Sequence, residues 1–436
     1  MSRFRTTVLG LPPRSKVPAD TIQFQLFFIF ALAAIAFGFF LDSPRAVFEG
    51  SMRILQAPSM LLSDYFAIGN PGATFVNAGL LMLVYVLFVR WQRDQYTGPL
   101  VAALFTVFGF AFFGKNILNS LPITIGVFLW AKLERKPVEN YLVAALFGTA
   151  LAPLVSYITF AMGLPFWLGL LTGYAAGIIV GVIIPPLAAA FMNFHHGLSL
   201  YNVGFTAGII GMVFVALVTL FGLEVPEVHY VSTDVDIPIA IFLIVTCLAM
   251  IVLGYHYNHN SFAGYRKFLQ RSGRAPSDFF VMEGLGRTFL NMGIMGIAVT
   301  LFVLLAGGHL NGPVLGGIFT VIGFAAFGKH PGNTAPIIVG ILLGALATGQ
   351  SPGATGVLVV VLFGTALAPM AGVYGPLGGV VAGFLHMALV TNVAILHQGL
   401  NLYNNGFSAG FVAFILIPVF NAVYRIRNKP SPLLEL

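Results

Sequence analysis

The feature that most constrains this chain is an internal duplication. The octapeptide Leu-Phe-Gly-Thr-Ala-Leu-Ala-Pro occupies residues 146–153 and recurs without change at 362–369. Shorter matches keep the same order around it: Gly98-Pro99 with Gly312-Pro313, Phe113-Gly114-Lys115 with Phe327-Gly328-Lys329, and Gly-Leu-x-Leu-Tyr-Asn at 197–202 and 399–404. Repeats of this length predict two copies of one structural unit, each covering nearly half the chain.

The composition places both copies in a membrane. Of the 436 residues, 58% are hydrophobic and only 8% are charged, whereas soluble domains carry about 25% charged residues. A membrane-spanning helix needs about 20 apolar residues, and in lipid only helices and closed barrels satisfy every backbone hydrogen bond. We therefore predict an all-α integral membrane protein.

Seven apolar segments can be counted in each copy. They lie at 22–41, 74–91, 98–113, 117–133, 140–160, 166–190 and 200–222, and at 237–254, 286–306, 312–327, 332–348, 353–372, 375–396 and 399–421. Because seven is odd, the second copy begins on the opposite side of the membrane. The sequence thus predicts about fourteen transmembrane or re-entrant segments in two repeats of inverted topology, 22–222 and 237–421.

The distribution of charge in the loops supports this topology. If the N-terminal segment 1–21 and the C-terminal tail 422–436 are cytoplasmic, most basic residues fall on the cytoplasmic side: Arg3, Arg5, Arg14, Lys16, Arg90, Arg93, Lys132, Arg135, Lys136, Arg266, Lys267, Arg271, Arg274, Arg425, Arg427 and Lys429. The linker 223–236 is acidic and external, with Glu224, Glu227, Asp234 and Asp236. Arg45 and Arg53 are the exceptions. The pattern agrees with positive-inside sorting of a multi-pass membrane protein, so the net charge of +7 reports topology and not a nucleic-acid partner.

Two segments in each repeat are short. The segments 98–113 and 117–133, and their counterparts 312–327 and 332–348, either span the membrane or enter and leave on one side. Inverted repeats with short, Gly- and Pro-interrupted segments at matching positions are typical of secondary transporters.

The first candidate site is the turn between these short segments. Lys115, Asn119 and Ser120 lie there in the first repeat, and Lys329, Asn333 and Thr334 in the second. Asn and Ser or Thr can cap the following helix, and we expect Pro122 and Pro336 in its first turn. A helix N-terminus with a lysine beside it suits an anionic group. The alternative is that both lysines reach the membrane surface.

Two further candidates lie in the other repeated motifs. Gly-Thr and Pro at 148–153 and 364–369 predict helix breaks, where Thr149 and Thr365 bind solute; the alternative is close helix packing. In the two hexapeptides, Tyr201 and Asn202 correspond to Tyr403 and Asn404, and all four are candidate solute-binding groups. His195 and His397 correspond as a proton relay, unless this segment is only a connector. Polar Asn77 and Asn291, within apolar segments, are interpreted as interhelical hydrogen-bond donors.

Several classes of protein are excluded by what the sequence lacks. Cys247 is the only cysteine, so no internal disulfide or cysteine cluster forms. No Walker, His-Glu-x-x-His or Gly-x-Ser-x-Gly motif is found, and we predict no enzyme, cofactor or metal. All 14 Asp and Glu residues lie in loops or near helix ends, which argues against a cation antiporter.

The repeated Phe-Gly-Thr-Ala-Leu-Ala-Pro and Gly-Leu-x-Leu-Tyr-Asn motifs resemble an uncharacterised family of duplicated prokaryotic membrane proteins. That resemblance covers most of the chain and implies no substrate. A partial likeness to the urea channel family rests on residues 197–202 and on Leu121-Pro122-Ile123-Thr124. The two elements are in reversed order here, and the second half reads Ala335-Pro336-Ile337-Ile338, so no urea site is carried over.

These features predict a secondary transporter for a small anionic solute bound between the repeats. The alternatives are a channel for a neutral solute such as urea or ammonia, and a non-transporting scaffold. The expected partners are the lipid bilayer and the solute; the sequence leaves a coupling ion and a homo-oligomer open.

Overall fold

The computed structural model describes residues 19–61, 63–92, 95–225, 230–232, 236–428 and 430–433. Parts of the charge pattern lie outside the described residues: Arg3, Arg5, Arg14, Lys16, Arg93, Glu227, Asp234 and Lys429.

The described chain is helical throughout both halves. The first half contains α1 (Ala19–Leu41), α2 (Pro44–Gln56), α3 (Tyr65–Ile68), α4 (Pro71–Gln92), α5 (Gly98–Phe110), α6 (Ile117–Leu133), α7 (Leu142–Gly148), α8 (Ala152–Phe160), α9 (Phe166–Phe191) and α10 (Asn202–Leu220). The second contains α11 (Asp236–Tyr257), α12 (Tyr265–Phe268), α13 (Phe279–Leu305), α14 (Gly312–Phe324), α15 (Pro331–Ala347), α16 (Thr355–Gly364), α17 (Ala368–His397) and α18 (Asn404–Ile426). Short 3₁₀ turns join α7 to α8 and α16 to α17.

Within the described ranges, nine helical stretches are long and apolar enough to cross a membrane. Four apolar helices are shorter, namely α5, α6, α14 and α15. The 13 residues of α5 extend about 20 Å, less than the roughly 30 Å of a hydrocarbon core. The prediction of a helical membrane protein with short segments at 98–133 and 312–348 is confirmed. We call α5–α6 and α14–α15 the first and second broken hairpins.

Helices α5 and α14 form the centre of the molecule. Every residue of α14 is buried, and so is every residue of α5 except Pro99. A helix that is apolar all round belongs in an interior. The two run antiparallel: a Cβ added at Gly98 would collide with the carbonyl oxygen of Ala326, and one at Gly312 with that of Phe112. The start of each central helix therefore lies against the end of the other.

The packing of the two halves corresponds helix by helix. Helix α1 packs on α4 as α11 packs on α13, and α6 packs on α9 as α15 packs on α17. The halves meet through α5 with α14 and through α10 with α18. The duplicated sequence thus folds into two similar units that share one core.

Two features differ from the sequence-based segments. Helix α2, capped by Ser43, was not predicted because its amphipathic sequence lacks a long apolar run. It explains the outlying Arg53, whose guanidinium donates to the carbonyl oxygens of Ile68 and Gly69 at 3.1 and 2.7 Å. In the second half, the boundary predicted between 353–372 and 375–396 is a kink at Gly375, where the backbone leaves helical geometry (φ 82°, ψ 175°), and no loop separates the two helices there.

Candidate functional site

The broken hairpins turn at matching places. Helix α5 ends at Phe110 and α6 begins at Ile117, with Gly114 between them at φ +126°. The Asn116 side chain accepts from the Asn119 N–H at 3.0 Å, and the Asn119 side chain accepts from the Asn116 N–H at 2.9 Å. This reciprocal cap starts the helix one turn earlier than the sequence suggested.

The expected position of the prolines is therefore wrong. Because α6 begins at Ile117 and α15 at Pro331, Pro122 and Pro336 lie inside their helices and not in the first turn. In the second hairpin Pro331 occupies the first helical position, where its missing N–H has no helical partner to lose.

The polar residues predicted beside the lysines are engaged within the turns. The Asn119 amide donates to the Gly114 carbonyl and to Ser156 Oγ, and the Asn333 amide donates to the Gly328 carbonyl. The hydroxyls of Ser120 and Thr334 donate to the backbone carbonyls four residues before them. These groups hold the turns in shape, and their contact with a solute stays a prediction.

A second pair of asparagines fixes the lysine backbones. The Asn77 amide donates to the carbonyl oxygens of Ala111 and Lys115 at 2.8 and 2.9 Å. The Asn291 amide donates to those of Ala325 and Lys329 at 2.8 and 2.7 Å. The prediction of interhelical hydrogen bonds by these asparagines is confirmed. Each bond ties α4 or α13 to the turn of its own hairpin.

Lys329 is completely buried, and neutral groups surround its ammonium. Its ammonium donates to Tyr201 Oη at 2.7 Å and to Thr365 Oγ1 at 2.8 Å. It also lies 4.6 Å from the ring centre of Tyr201 and 4.9 Å from that of Phe324, within the range of cation–π attraction. Three sequence-predicted residues from both halves, Lys329, Tyr201 and Thr365, are thus brought together.

Lys115 is equally buried but has no hydrogen-bond partner for its ammonium. The ammonium lies 5.2 Å from the centre of the Phe110 ring. Tyr403, the counterpart of Tyr201, hydrogen bonds instead to Thr106 Oγ1 at 3.2 Å, and Thr149 donates only to the Leu146 carbonyl. Both lysines are 0% exposed, so neither side chain reaches the protein surface, and their depth in the membrane stays a prediction.

The helix breaks after α7 and α16 position the segments that contain Tyr201 and Tyr403 through backbone hydrogen bonds. At Thr149–Leu151 and Thr365–Leu367 the helix narrows to a 3₁₀ turn. The Ala366 carbonyl there accepts from the Leu200 N–H at 3.0 Å, and the Ala150 carbonyl accepts from the Leu402 N–H at 3.1 Å. Each break holds the Tyr-Asn segment of the other half, so the lysine sites are built jointly by both halves.

An aromatic cluster separates the two lysines. The rings of Tyr201 and Tyr403 lie 4.8 Å apart; Tyr201 contacts Phe324 at 4.6 Å and Tyr403 contacts Phe110 at 4.8 Å. We call these four residues the central aromatic cluster. Lys329 lies at the Phe324 end of this row of rings and Lys115 at the Phe110 end, so the cluster lies between two similar sites.

The histidines are arranged differently in the two halves. His195 Nε2 lies 3.1 Å from Asn202 Oδ1, whereas His397 Nε2 donates to the Gly208 carbonyl at 3.0 Å. Asn404 accepts from the Asn405 amide. None of these contacts reaches a lysine, and a proton relay through His195 and His397 stays a prediction.

A cavity of about 110 Å³ adjoins the central aromatic cluster. Its lining is uncharged and comprises Pro99, Val143, Phe147, Met192, Ser199, Leu200, Tyr201, Asn202, Val203, Gly204, Ala275, Phe324, Phe327 and Tyr403. Tyr201 and Phe324, whose rings contact the Lys329 ammonium, therefore also belong to the cavity lining.

The cavity is one-sided. Val143, Phe327 and Pro99, which line it, are half-buried. Their counterparts in the other half are fully packed, namely Val359 at 5% exposure, and Phe113 and Pro313, both buried. Corresponding residues of the two halves thus line an accessible cavity beside Lys329 and a closed interior beside Lys115.

Two functional candidates were missed by sequence reasoning. The hydroxyl of Ser199 and the amide nitrogen of Asn401 are buried without hydrogen-bond partners, and Ser199 lines the cavity. They are counterparts, two residues before Tyr201 and Tyr403. A polar residue between two leucines in both hexapeptides was the available signal. Together with the ammonium of Lys115, three unsatisfied groups able to donate belong to the paired sites.

Two aspartates bind the central helices across the halves. Asp64 accepts from the N–H groups of Phe66, Ser232 and Gly312, at 2.9, 2.8 and 3.2 Å. Asp278 accepts from Phe280 and from Gly98. Burial raises the pKa of the Asp64 carboxyl to about 6, against the opposing effect of these hydrogen bonds, and burial also raises the pKa of Asp278. Each aspartate therefore holds the start of the other half's central helix.

These features define a helical membrane protein of two similar halves with buried lysines at their interface. The sequence matches DUF1576, described as a protein of unknown function, over residues 43–220 and again over 257–422. The chain belongs to this family, and the double match supports the duplication. No curated protein and no solved structure matches it.

Proposed function

We propose that this protein is a secondary transporter for a small anionic solute, with the solute site at the lysines between the two halves. Its repeats lie in a prokaryotic cell (inner) membrane in opposite orientations, with both termini in the cytoplasm. The broken hairpins enter from opposite sides, and their tips lie at opposite ends of the paired central helices α5 and α14.

The observation that carries this proposal is the pair of buried lysines without a countercharge. Among the described residues, no Asp or Glu pairs with Lys115 or Lys329. Burying an unpaired charge costs several kcal/mol. A bound anion removes this penalty, and a neutral solute does not.

The polarity of the remaining groups agrees with an anion. Lys115 Nζ and Asn401 Nδ2 are donors only, and Ser199 Oγ can donate. Unsatisfied buried donors are costly, and a ligand rich in acceptors at either site would offset that cost.

The one-sided cavity supports transport over a fixed binding role. In the inverted arrangement, the state described here is open beside Lys329 and closed beside Lys115. Exchanging the conformations of the two halves produces the opposite state from the same contacts. The lining includes Ala275, which follows the basic segment of Arg266, Lys267, Arg271 and Arg274, so we assign this opening to the cytoplasm.

The test is counterflow in proteoliposomes preloaded with chloride, nitrate, bicarbonate, pyruvate or succinate and supplied with a trace of the labelled anion outside. We expect at least one anion to accumulate above protein-free vesicles. Lys329→Met and Lys115→Met should each reduce its uptake at least tenfold, while the exposed Lys132 provides the control Lys132→Met, which should transport normally.

Loss of transport must be separated from loss of folding. The Lys115 side chain forms no hydrogen bond, so Lys115→Met should melt at or above the wild-type temperature while failing to transport. Lysine variants that transport every anion at the wild-type rate would contradict the proposal, as would the absence of flux for any anion.

A channel for a small neutral solute is the second candidate, favoured by the uncharged lining of the cavity. Stopped-flow light scattering with urea and ammonia tests it. Rapid flux that does not saturate and survives both lysine substitutions would establish the channel. If neither counterflow nor light scattering detects flux, the non-transporting scaffold is the remaining alternative.

A further inference from the structure

A second cavity lies between α17 and α18 and shares no residue with the lysine sites. Its volume is about 280 Å³, and its lining comprises Tyr374, Leu377, Gly378, Val381, Phe420, Val423, Tyr424 and Arg427. Along α18 the lining residues recur every three or four positions, so they form one face of that helix. We call this cavity the α17–α18 groove.

The groove is open on the outer surface of the helices. Leu377 is 76% exposed and Val423 is 40% exposed, and both belong to stretches long and apolar enough to cross a membrane. The Tyr374 ring packs 4.9 Å from that of Phe420 and 6.2 Å from that of Tyr424. Exposed apolar side chains of a membrane span contact lipid hydrocarbon. The groove therefore offers a surface on which an acyl chain can lie.

One end of the groove is basic. Arg427 is exposed and follows directly on the apolar stretch that ends at Ile426, so its guanidinium lies where the hydrocarbon gives way to water and lipid phosphates. Within the described residues, no Asp or Glu pairs with it. Arg274 is close enough to the Tyr374 hydroxyl to interact with it electrostatically, and its own hydrogen bonds go to neutral carbonyl oxygens.

The other end is apolar. Tyr374, near the start of α17, contacts Tyr424, near the end of α18, so the two helices run antiparallel at the groove. Moving along α17 from Tyr374 to Val381 therefore leads away from Arg427 and towards the middle of the apolar stretch. A positive charge at one end and hydrocarbon along the rest is the complement of an anionic amphiphile.

The first half has no equivalent of this lining. The repeated motifs align four positions of the groove, Tyr374, Phe420, Tyr424 and Arg427, with Ile158, Val218, Gly222 and Val225. None of these four is aromatic or basic, and Val225 is buried. The aromatic and basic groups therefore belong to the second half alone and are not a feature that the duplication copied.

We propose that the α17–α18 groove binds one anionic phospholipid of the surrounding membrane, with its phosphate at Arg427 and an acyl chain along Phe420, Leu377 and Val381. Arginine suits phosphate because its planar guanidinium donates two parallel hydrogen bonds. A zwitterionic lipid would bring a second cation towards Arg427 and Arg274, and a glycerol headgroup would not. This site is separate from the proposed solute site and does not depend on transport.

The experiment is native mass spectrometry of the purified full-length protein, released from a nonionic detergent with added dioleoylphosphatidylglycerol or dioleoylphosphatidylcholine. The two lipids have the same chains, so any preference reports the headgroup. We expect one phosphatidylglycerol per chain, bound at least tenfold more tightly than phosphatidylcholine. Glycerol 3-phosphate at the same concentration should not displace it, because it lacks the apolar contacts.

Two variants with matched controls locate the head and the chain. Arg427→Gln should weaken phosphatidylglycerol binding at least tenfold, whereas Arg425→Gln, exposed at the same helix end but outside the lining, should leave it unchanged. Val381→Trp fills the apolar end and should weaken both lipids. Its control is Val419→Trp, which is exposed on α18 and outside the lining. All four positions are exposed, so each variant should melt near the wild-type temperature.

The outcomes test the lipid site without reference to transport. Equal losses in Arg427→Gln and Arg425→Gln would show a general attraction to basic residues and overturn the proposal. Equal affinity for the two lipids would overturn the anionic headgroup. Phosphatidylglycerol binding that Val381→Trp does not change, or that glycerol 3-phosphate displaces, would overturn the acyl-chain contact. Anion counterflow in proteoliposomes would be unaffected by any of these results, so the two proposals can fail separately.

Discussion

The unequal bonding of the two tyrosines can be tested as a difference in stability. Tyr201 Oη accepts from the buried ammonium of Lys329 at 2.7 Å, whereas Tyr403 Oη bonds to the neutral hydroxyl of Thr106 at 3.2 Å. A hydrogen bond to a charged group contributes about 2 kcal/mol and a neutral one about 1 kcal/mol. Phenylalanine keeps the ring, and with it the cation–π contact of Tyr201, so each substitution removes only the hydroxyl.

Tyr201→Phe should therefore lower the free energy of unfolding by about 2 kcal/mol and Tyr403→Phe by about 1 kcal/mol, measured by equilibrium unfolding in mixed micelles without added anion. The two sites have equivalent sequence surroundings, so Tyr403→Phe is the matched control. The difference reports which lysine is engaged in the ligand-free protein.

A double-mutant cycle assigns the difference to Lys329. In the Lys329→Met background no ammonium reaches the hydroxyl, so the cost of Tyr201→Phe should vanish or change sign. The expected coupling free energy is about 2 kcal/mol. A coupling below about 0.5 kcal/mol, or a larger loss for Tyr403→Phe than for Tyr201→Phe, would refute this account of the bonded lysine.

Two further predictions concern the contacts between the halves. Because burial raises the pKa of Asp64 from 3.8 to about 6, its contribution to stability is fully present below about pH 4 and is lost as the pH rises through 6. This change amounts to about 3 kcal/mol. Between pH 4 and 7 the melting temperature should therefore change less with pH in Asp64→Asn than in the wild type. An equal change in the two proteins would contradict the raised pKa. Gly312→Ala places a methyl group against the Phe112 carbonyl and should lower the free energy of unfolding by about 1–3 kcal/mol. Gly356→Ala, with open space around it, should be neutral or stabilising, and equal effects of the two would argue against the close crossing.

The architecture could be predicted from the sequence because its signals are local or repeated. Long apolar runs predict helices, and repetition of the motif at 146–153 predicts a second copy. Helix α2 was missed because its apolar residues occupy only one face. Pro122 was placed too early because the cap at Asn116 depends on a reciprocal bond with Asn119 that residue type alone does not specify.

The assembly of the site could be predicted only in part. The sequence identified Lys329, Tyr201 and Thr365 as candidates in three separate motifs. It could not show that the lysine of one half pairs with the tyrosine of the other, because this contact joins residues 128 positions apart. Nor could it show that Lys115 is left unbonded, since the two halves have nearly the same motifs and the difference lies in their conformations.

The central claim is that an anion at the lysines drives exchange between the two one-sided states. The matched residues Val143 and Val359 report these states, because the first lines the cavity and the second is buried. The native Cys247 is buried, so the rate of thiol labelling in Val143→Cys and Val359→Cys variants measures access directly.

Without solute, the Val143→Cys variant should react quickly and the Val359→Cys variant slowly. A saturating transported anion should slow the first and accelerate the second, and adding Lys329→Met should abolish both changes. Labelling rates that do not change when the anion is added would contradict the account. So would rates that change equally in the presence and absence of Lys329→Met.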